Sequence, residues 1–227
     1  MYFSMIKLRR GLSPRDFASV GRGDGYGIHR QIWDLFSDGP DRRRDFLYRF
    51  ETIDGLPAYY TVSEREPTDS SGLWEIHQKT YNPKLISGDR LSFAVRVNPI
   101  RSKRDESGRQ HRHDVVMEEK RKVDFKKLPD AKRPHVATLI QQAGMAWIKS
   151  RESEYGFTLD DSCTRADGYQ QHKMLKGKSA LPVKFSSLEF NGILRITDPE
   201  RFIERCLFEG IGPAKGFGCG LMLVRRV

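Results

Sequence analysis

Two side chains in the first thirty residues are candidates for proton-transfer chemistry. Tyr26 and His29 stand three residues apart in the segment Gly25-Tyr-Gly-Ile-His-Arg-Gln-Ile-Trp33. In a helical turn this spacing places both on one side, and the glycines around Tyr26 leave that side open to a large ligand. A histidine titrates near neutral pH, so it can take a proton from one hydroxyl group or give one to another. A lone histidine near a helix start is also commonly a capping or surface residue, and the pattern alone leaves both interpretations open.

A second candidate site is a glycine-rich stretch at residues 210–220. Five of its eleven residues are glycine, and Lys215 is in the middle. Successive backbone N–H groups beside a lysine form an anion-binding concavity, with Lys215, Gly216 and Gly218 as the predicted contacts. The glycines are spaced one residue too wide for the dinucleotide-binding pattern, and Phe217 stands where the mononucleotide-binding pattern needs Ser or Thr. A tight turn that leads the last strand into a sheet is the alternative interpretation.

The charge of the chain favours a polyanionic partner. The 227 residues carry 40 Lys and Arg against 30 Asp and Glu, a formal net charge of +10. Residues 1–30, 101–127 and 165–184 each have a net charge of +4. Three basic segments separated by near-neutral sequence suggest one anionic partner that is contacted at several places, although a solvated surface explains any one of them.

The hydrophobic pattern predicts an α+β fold with two tandem ferredoxin-like βαββαβ domains. The first half has predicted strands at residues 1–8, 46–51, 58–63 and 91–97, a weaker one at 73–76, and a helix over 28–36. The second half has a predicted helix at 134–151, extended segments at 168–174 and 181–196, a helix at 198–209 and a strand at 221–224. Residues 101–113 are charged and without periodicity, which indicates an exposed loop. We therefore predict an N-terminal domain over residues 1–98, a basic linker over 99–114 and a C-terminal domain over 115–227.

The extended segments of the second half enclose a basic tip. Lys173, Lys176 and Lys178 lie on this predicted hairpin. Double-stranded RNA is held mostly through its phosphates, 2′-hydroxyls and shape, and a protruding basic ribbon suits that task. An edge hairpin kept soluble by lysines is the alternative.

Other chemistries find little support. His111 and His113 lie in a charged stretch without nearby cysteine, and neither an H-E-x-x-H nor a G-x-S-x-G pattern occurs. We therefore expect no bound metal or cofactor. The three cysteines, Cys163, Cys206 and Cys219, lack C-x-x-C spacing, which fits reduced thiols in a cytoplasm. No apolar run has the length that spans a bilayer, and we expect no membrane partner.

The glycine-rich stretch resembles that of a known family. Gly210-Ile-Gly-Pro-Ala-Lys, with Gly-Cys-Gly-Leu221 after it, is similar to the glycine-rich loop of CRISPR repeat-processing RNA endonucleases, specifically the CasE family of type I-E systems. His29-Arg-Gln-Ile-Trp-Asp-Leu-Phe, Gly39-Pro-Asp and Arg44-Asp-Phe-Leu-Tyr48 resemble the same family in matching order. Val97-Asn-Pro-Ile100 does so as well, so the resemblance touches both halves of the chain.

The resemblance implies a metal-independent endoribonuclease. In this family the histidine at the position of His29 is catalytic and a tyrosine nearby assists, so the resemblance implies catalytic roles for His29 and Tyr26. The 2′-hydroxyl of the RNA would attack the scissile phosphate and leave a 2′,3′-cyclic phosphate and a 5′-hydroxyl. Some relatives have a lysine farther along this helix, but no lysine lies between residues 7 and 79 here. Arg22 or Arg30 is the expected substitute for stabilising the phosphate.

The resemblance also implies the partners. These are the stem-loop of CRISPR repeat RNA, cut at its base, the mature crRNA whose hairpin stays bound, and the other subunits of the type I-E surveillance complex, Cascade. Lys173, Lys176 and Lys178 would hold the stem. A non-catalytic, structural RNA-binding subunit of a ribonucleoprotein has the same basic features and stays open as the alternative.

Overall fold

A four-stranded antiparallel sheet forms the first half of the fold. The computed structural model describes residues 1–20, 25–36, 39, 44–174 and 182–227, with the backbone alone at residues 17, 19 and 25–29. The first elements are β1 (Tyr2–Leu8), α1 (Pro14–Ser19), α2 (Gly25–Asp34), β2 (Phe46–Ile53), β3 (Leu56–Ser63) and β4 (Trp74–Thr80). The strand order β2-β3-β1-β4 is that of a ferredoxin-like unit. Residues 64–73, between β3 and β4, are all described and contain no helix, so an irregular connection replaces the second helix of the unit.

Apolar side chains fix the helices of this half on one face of the sheet. Ser13 caps α1 with its side chain. At the end of α2 and just beyond it, Ile32, Leu35 and Phe36 are buried. Their spacing of three and four residues puts them on one side of the helix. The ring of Phe36 stacks on Phe46 of β2 with 4.3 Å between centroids, which joins α2 to the sheet.

A second antiparallel sheet forms the other half. The remaining elements are β5 (Arg90–Val97), β6 (Ile100–Arg104), β7 (Gln110–Asp114), α3 (Val115–Lys122), α4 (Val136–Lys149), α5 (Glu152–Tyr155), β8 (Phe157–Leu159), β9 (Arg165–Met174), β10 (Val183–Ile196), α6 (Pro199–Arg201), a π-helical continuation at Phe202–Phe208, and β11 (Met222–Arg226). The strands lie in the order β11-β5-β10-β8, and β9 also pairs with β10. This is again the ferredoxin-like order, with β5 as first strand and β11 as last, so the fold is a tandem of two such units.

The position of β5 corrects the interpretation of residues 91–97. The sequence placed this strand at the end of the first unit, but it pairs with β10 and β11 in the second sheet. Alternating hydrophobicity identifies a half-buried strand and says nothing of its partners. We therefore propose a domain boundary between β4 and β5, in place of the predicted one at residue 98.

The segment after β5 also differs from its prediction. Instead of a loop, β6 and β7 form a two-stranded antiparallel hairpin in which Ile100 pairs with Asp114 and Arg104 with Gln110. The hairpin is exposed over most of its length, as expected. It lacks a hydrophobic face, so its charged residues carry no alternation that sequence analysis can detect. Asp114 then caps α3 by accepting from the backbone N–H of Met117 at 2.9 Å.

A small apolar cluster joins the two halves. Leu47 of β2 and Val62 of β3 are buried against Leu221, which precedes β11. Tyr81 packs there edge-on against Phe208, with 5.9 Å between ring centroids. The junction therefore holds the end of the second unit, with its glycine-rich stretch, against the first sheet. Among the described residues, none of the helices combines the length and the apolar composition of a membrane-spanning segment.

Candidate functional site

Buried hydrogen bonds anchor the helix that carries the candidate catalytic residues. The hydroxyl of Tyr59, a fully buried residue of β3, donates to Gln31 Oε1 of α2 at 2.7 Å. The amide nitrogen of Gln31 donates in turn to the carbonyl of Val20, at the end of α1. With the neighbouring Ile32 also fully buried, α2 is held on the sheet by both polar and apolar contacts.

The same helix lies against the glycine-rich stretch of the second unit. Its partner there is a short 3-10 turn at Lys215–Phe217. Tyr26 and His29 belong to α2, but their side chains lie outside the described part of the structure, and their roles stay a prediction. Arg30, the next residue, is exposed. The fold thus brings the helix of the first unit and the loop of the second to one place.

The glycine-rich stretch uses several of its own N–H groups internally. Hydrogen bonds to backbone carbonyls engage the N–H groups of Ile211, Phe217, Gly218 and Gly220. Gly220 donates to Arg96 of β5 at 2.7 Å, which places the stretch at the entry of β11 into the sheet. The tight-turn interpretation therefore accounts for part of the glycine content. Gly216 and Gly218 stay predicted RNA contacts, although the N–H group of Gly218 donates to the Lys215 carbonyl at 3.4 Å.

Close packing against the first sheet explains two of the glycines. Gly210 has a φ of +80°, and a Cβ there would lie 2.7 Å from Leu47 Cδ1. Gly218 has a φ of +79°, and its Cβ would lie 3.2 Å from the ring of Tyr48. The Tyr48 hydroxyl donates to the Gly216 carbonyl at 3.0 Å. Only glycine combines this backbone conformation with so close an approach.

Lys215 of the loop and Arg44, which precedes β2, are half-buried cations from different halves of the chain, and their charges repel each other. Burial lowers the pKa of Lys215, and the positive charge of Arg44 lowers it further, while Glu209 opposes the shift. Burial also lowers the pKa of Arg44. Neither side chain has an ion-pair partner within the described ranges. Such partly desolvated, like-charged groups are unfavourable in the free protein and favourable beside an anion, which points to a functional site.

A cavity of about 480 Å³ lies next to the loop, between the two sheets. Tyr48 and Phe50 of β2 line one side and residues of β5, β9 and β10 the other, with Phe217 of the loop at one end. Arg96 and Glu189, two members of an ion-pair network, line it. Glu189 Oε2 lies 3.1 Å from Arg49 Nη2, and Glu189 also pairs with Arg96. Because Arg49 belongs to the first unit and the other two to the second, this network fixes the two sheets relative to each other.

A stack of three rings leads from the loop to the long hairpin of β9 and β10. Phe217 stacks on Phe185 with 5.1 Å between centroids, and Phe185 stacks on His172 with 4.5 Å. His172 Nε2 lies 2.8 Å from the hydroxyl of Ser187. Burial, and then the charge of Arg96, lower the pKa of His172, which favours the neutral form of its ring.

The basic hairpin is described only below its tip. Lys173 is exposed at the end of β9 and pairs in register with Lys184 of β10. Lys176 and Lys178 lie outside the described residues, as does Arg22 near the start of α2. The predicted RNA contacts of this hairpin therefore stay predictions.

Fold and site together define a tandem ferredoxin-like protein with a cationic junction between its two units. A family model described as CRISPR associated protein matches residues 1–226. The chain belongs to this family, as a CasE-type member.

Relatives and solved structures agree with this assignment over the full chain. The chain is 27% identical over 224 residues to the CRISPR system Cascade subunit CasE of Escherichia coli, which covers 98% of each chain. It is 26% identical over 210 residues to the CRISPR-associated endoribonuclease Cse3 of Thermus thermophilus, covering 88% of this chain and 89% of the relative. A structure of Cse3 bound to a 19-nucleotide RNA superposes with a TM-score of 0.66 at 23% identity, covering 99% and 100% of the two chains. Cas6e of Escherichia coli gives a TM-score of 0.57 at 21% identity, covering 100% of both. These likenesses show the shared fold.

Sequence reasoning missed three groups at the junction. Arg44 and Tyr48 lie within the stretch that resembles the CasE family, so the sequence marked them as part of a family motif but did not indicate what they do. Arg96 lies in a strand whose alternation identifies only its buried positions. Each acts through a contact with the other half of the chain, which local sequence patterns do not encode.

Proposed function

We propose that this chain is a metal-independent endoribonuclease that cleaves CRISPR precursor RNA within each repeat, at the base of a stem-loop. The observation that carries the proposal is the contact between α2, with His29, and the Lys215–Phe217 turn. This contact supports a site where a proton-transfer group of α2 and cationic groups of the loop act on the same RNA.

The reaction needs only groups that the protein and the RNA provide. The 2′-oxygen of the nucleotide before the cut bonds to the adjacent phosphorus, and the bond from phosphorus to the 5′-oxygen breaks. One proton leaves the 2′-hydroxyl and one is given to the 5′-oxygen, so the products are a 2′,3′-cyclic phosphate and a 5′-hydroxyl. His29 serves as general base or acid, with Tyr26 orienting the RNA or assisting proton transfer. Lys215 and Arg44 stabilise the extra negative charge on the phosphate during the attack.

The rest of the RNA is held by basic groups on both halves. Arg30 is exposed on the same helix as His29, and Arg22 precedes that helix. Lys173, Lys176 and Lys178 on the hairpin of β9 and β10 hold the stem through its phosphates. Gly216 and Gly218 let the RNA backbone approach the loop closely.

The relatives support the same activity and assembly. Cse3 is named an endoribonuclease, and one of its structures represents a pre-cleavage complex with RNA. CasE is named a subunit of Cascade. By this likeness the present chain keeps the hairpin of the mature crRNA and joins a type I-E Cascade complex in the cytoplasm.

A cleavage assay tests the proposal against a purely structural role. The protein is incubated in a chelator with repeat RNA from the CRISPR array of its own host, and the product ends are analysed. The proposal expects one cut at the stem base, a 2′,3′-cyclic phosphate end, and no cut when the nucleotide before the cut is 2′-deoxy. Tight binding of RNA that stays intact would establish the non-catalytic subunit instead.

A further inference from the structure

A groove lies between the two hairpins of the second unit. Its volume is about 480 Å³. One wall belongs to the β6–β7 hairpin and includes Arg112, and the other belongs to β9 and β10 and includes Lys173 and Lys184. His172 and Phe185 also line it.

The groove carries an uncompensated positive charge. Arg112, Lys173 and Lys184 have no hydrogen-bond or ion-pair partner among the residues that the structure describes. The one carboxylate in the lining, Asp114, is already engaged. It accepts from the hydroxyls of Tyr169, at 2.9 Å, and Ser186, and from the α3 backbone. Arg112 and Lys184, with Lys173 of the predicted stem contact beside them, favour a ligand with several negative charges.

The groove continues toward the candidate catalytic site. His172 and Phe185 line both this groove and the cavity between the sheets. Phe185 stacks on Phe217 of the glycine-rich loop. A chain that leaves the loop can therefore pass along these rings and enter the groove without a break.

We propose that this groove binds a single-stranded segment of RNA that flanks the stem-loop. The inference rests on the proposed function and adds the β6–β7 hairpin as a second arm that holds the substrate. A duplex offers mainly phosphates and ribose edges, whereas a single strand also offers unpaired base faces. Cations and aromatic rings along one groove are the combination that binds single-stranded nucleic acid. Arg112 and Lys184 contact phosphates, and the bases pack beside His172 and Phe185.

Equilibrium binding of paired RNAs tests the groove separately from cleavage. The probes are the repeat stem-loop with a 2′-deoxy nucleotide before the cut, either bare or with an oligouridine flank on its 5′ or its 3′ side. The variants are Arg112→Gln and Lys184→Gln. The matched control is Arg195→Gln, which removes an exposed cation at the other end of β10.

Each groove variant is expected to weaken one flanked RNA about fivefold in about 0.1 M salt, and to lower the slope of log affinity against log salt by about 0.7. The bare stem-loop and the control variant should show neither change. His172→Ala, which removes the last ring of the stack without touching the loop, is expected to weaken the same flanked RNA about tenfold without changing the salt slope.

Two results would overturn the groove assignment. Equal losses on bare and flanked RNA would show that the groove holds the stem, and no loss on either flanked RNA would show that it holds no RNA. The cleavage assay fails independently of both. If the wild type does not cleave repeat RNA, but the groove variants lose affinity only for flanked RNA, the endonuclease proposal is refuted and the groove assignment still holds.

Discussion

Gly210 offers a direct test of how the glycine-rich loop is seated on the first sheet. A methyl group added at this residue would lie 2.7 Å from Leu47 Cδ1 and 2.9 Å from the carbonyl oxygen of Gly220, with φ at +80°. Gly72 is a matched control, since its φ is +74° and nothing lies within 4 Å of the added atom. Both substitutions by alanine strain the backbone, but only Gly210→Ala also forces atoms apart.

The two contributions predict different losses of stability. A left-handed backbone conformation costs an alanine about 1 kcal/mol. Overpacking against a backbone carbonyl and a buried leucine adds about 2 kcal/mol. Gly210→Ala should therefore lower the free energy of unfolding by about 3 kcal/mol and Gly72→Ala by about 1 kcal/mol.

Urea denaturation of both variants measures this difference, provided that the slope with urea stays equal to that of the wild type. Gly210→Ala should also slow cleavage of repeat RNA under conditions where it is fully folded, because the loop must shift away from α2. Equal destabilisation of the two variants would refute the close contact between loop and sheet.

Three further predictions concern charged groups. Glu189→Gln removes the carboxylate shared by two arginines of the interdomain network and should lower the free energy of unfolding, measured with urea, by about 3 kcal/mol. Its control is Asp161→Asn, which breaks an exposed 2.5 Å pair with a lysine and should cost less than about 1 kcal/mol. Similar losses for the two variants would contradict the network's role. Lys215→Met should raise the melting temperature of the RNA-free protein at neutral pH while weakening RNA binding. Because burial lowers the pKa of this lysine in the folded state alone, the difference in stability between the variant and the wild type should shrink as pH approaches 10.5. Unchanged RNA affinity would exclude Lys215 from the site. Burial lowers the pKa of His172 in the folded state, so as pH falls through 6.5 the unfolded state takes up a proton that the folded state does not, and stability should fall. In thermal denaturation, this fall should be smaller for His172→Gln than for the wild type. An equal fall in both proteins would contradict the prediction.

Sequence patterns identified the helices and strands of this fold better than they identified which strands pair with each other. The strand at Arg90–Val97 has clear alternation, yet only its pairing with β10 and β11 shows that it opens the second unit. A period of two records which side of a strand is buried, and either sheet satisfies it. The exposed hairpin of β6 and β7 has no buried side at all, so its pattern resembled that of a loop.

The candidate site shows the same division. Residue types and the family resemblance pointed to the helix with His29 and to the loop with Lys215, and the fold brings that helix and that loop into contact. The repulsion between Lys215 and Arg44 could not be predicted, because it acts between residues that are 171 positions apart in the sequence. Nor could the internal use of the loop's N–H groups, since glycine spacing is the same for a turn and for a phosphate-binding loop.

Single-turnover cleavage by His29→Ala tests the central claim most directly. His77→Ala is the control, since His77 is an exposed histidine on β4 of the same unit. The account predicts that His29→Ala binds repeat RNA as tightly as the wild type and cleaves it about 10²–10⁴-fold more slowly, while His77→Ala cleaves normally. Cleavage by His29→Ala at the wild-type rate would show that the imidazole of α2 takes no part in the reaction.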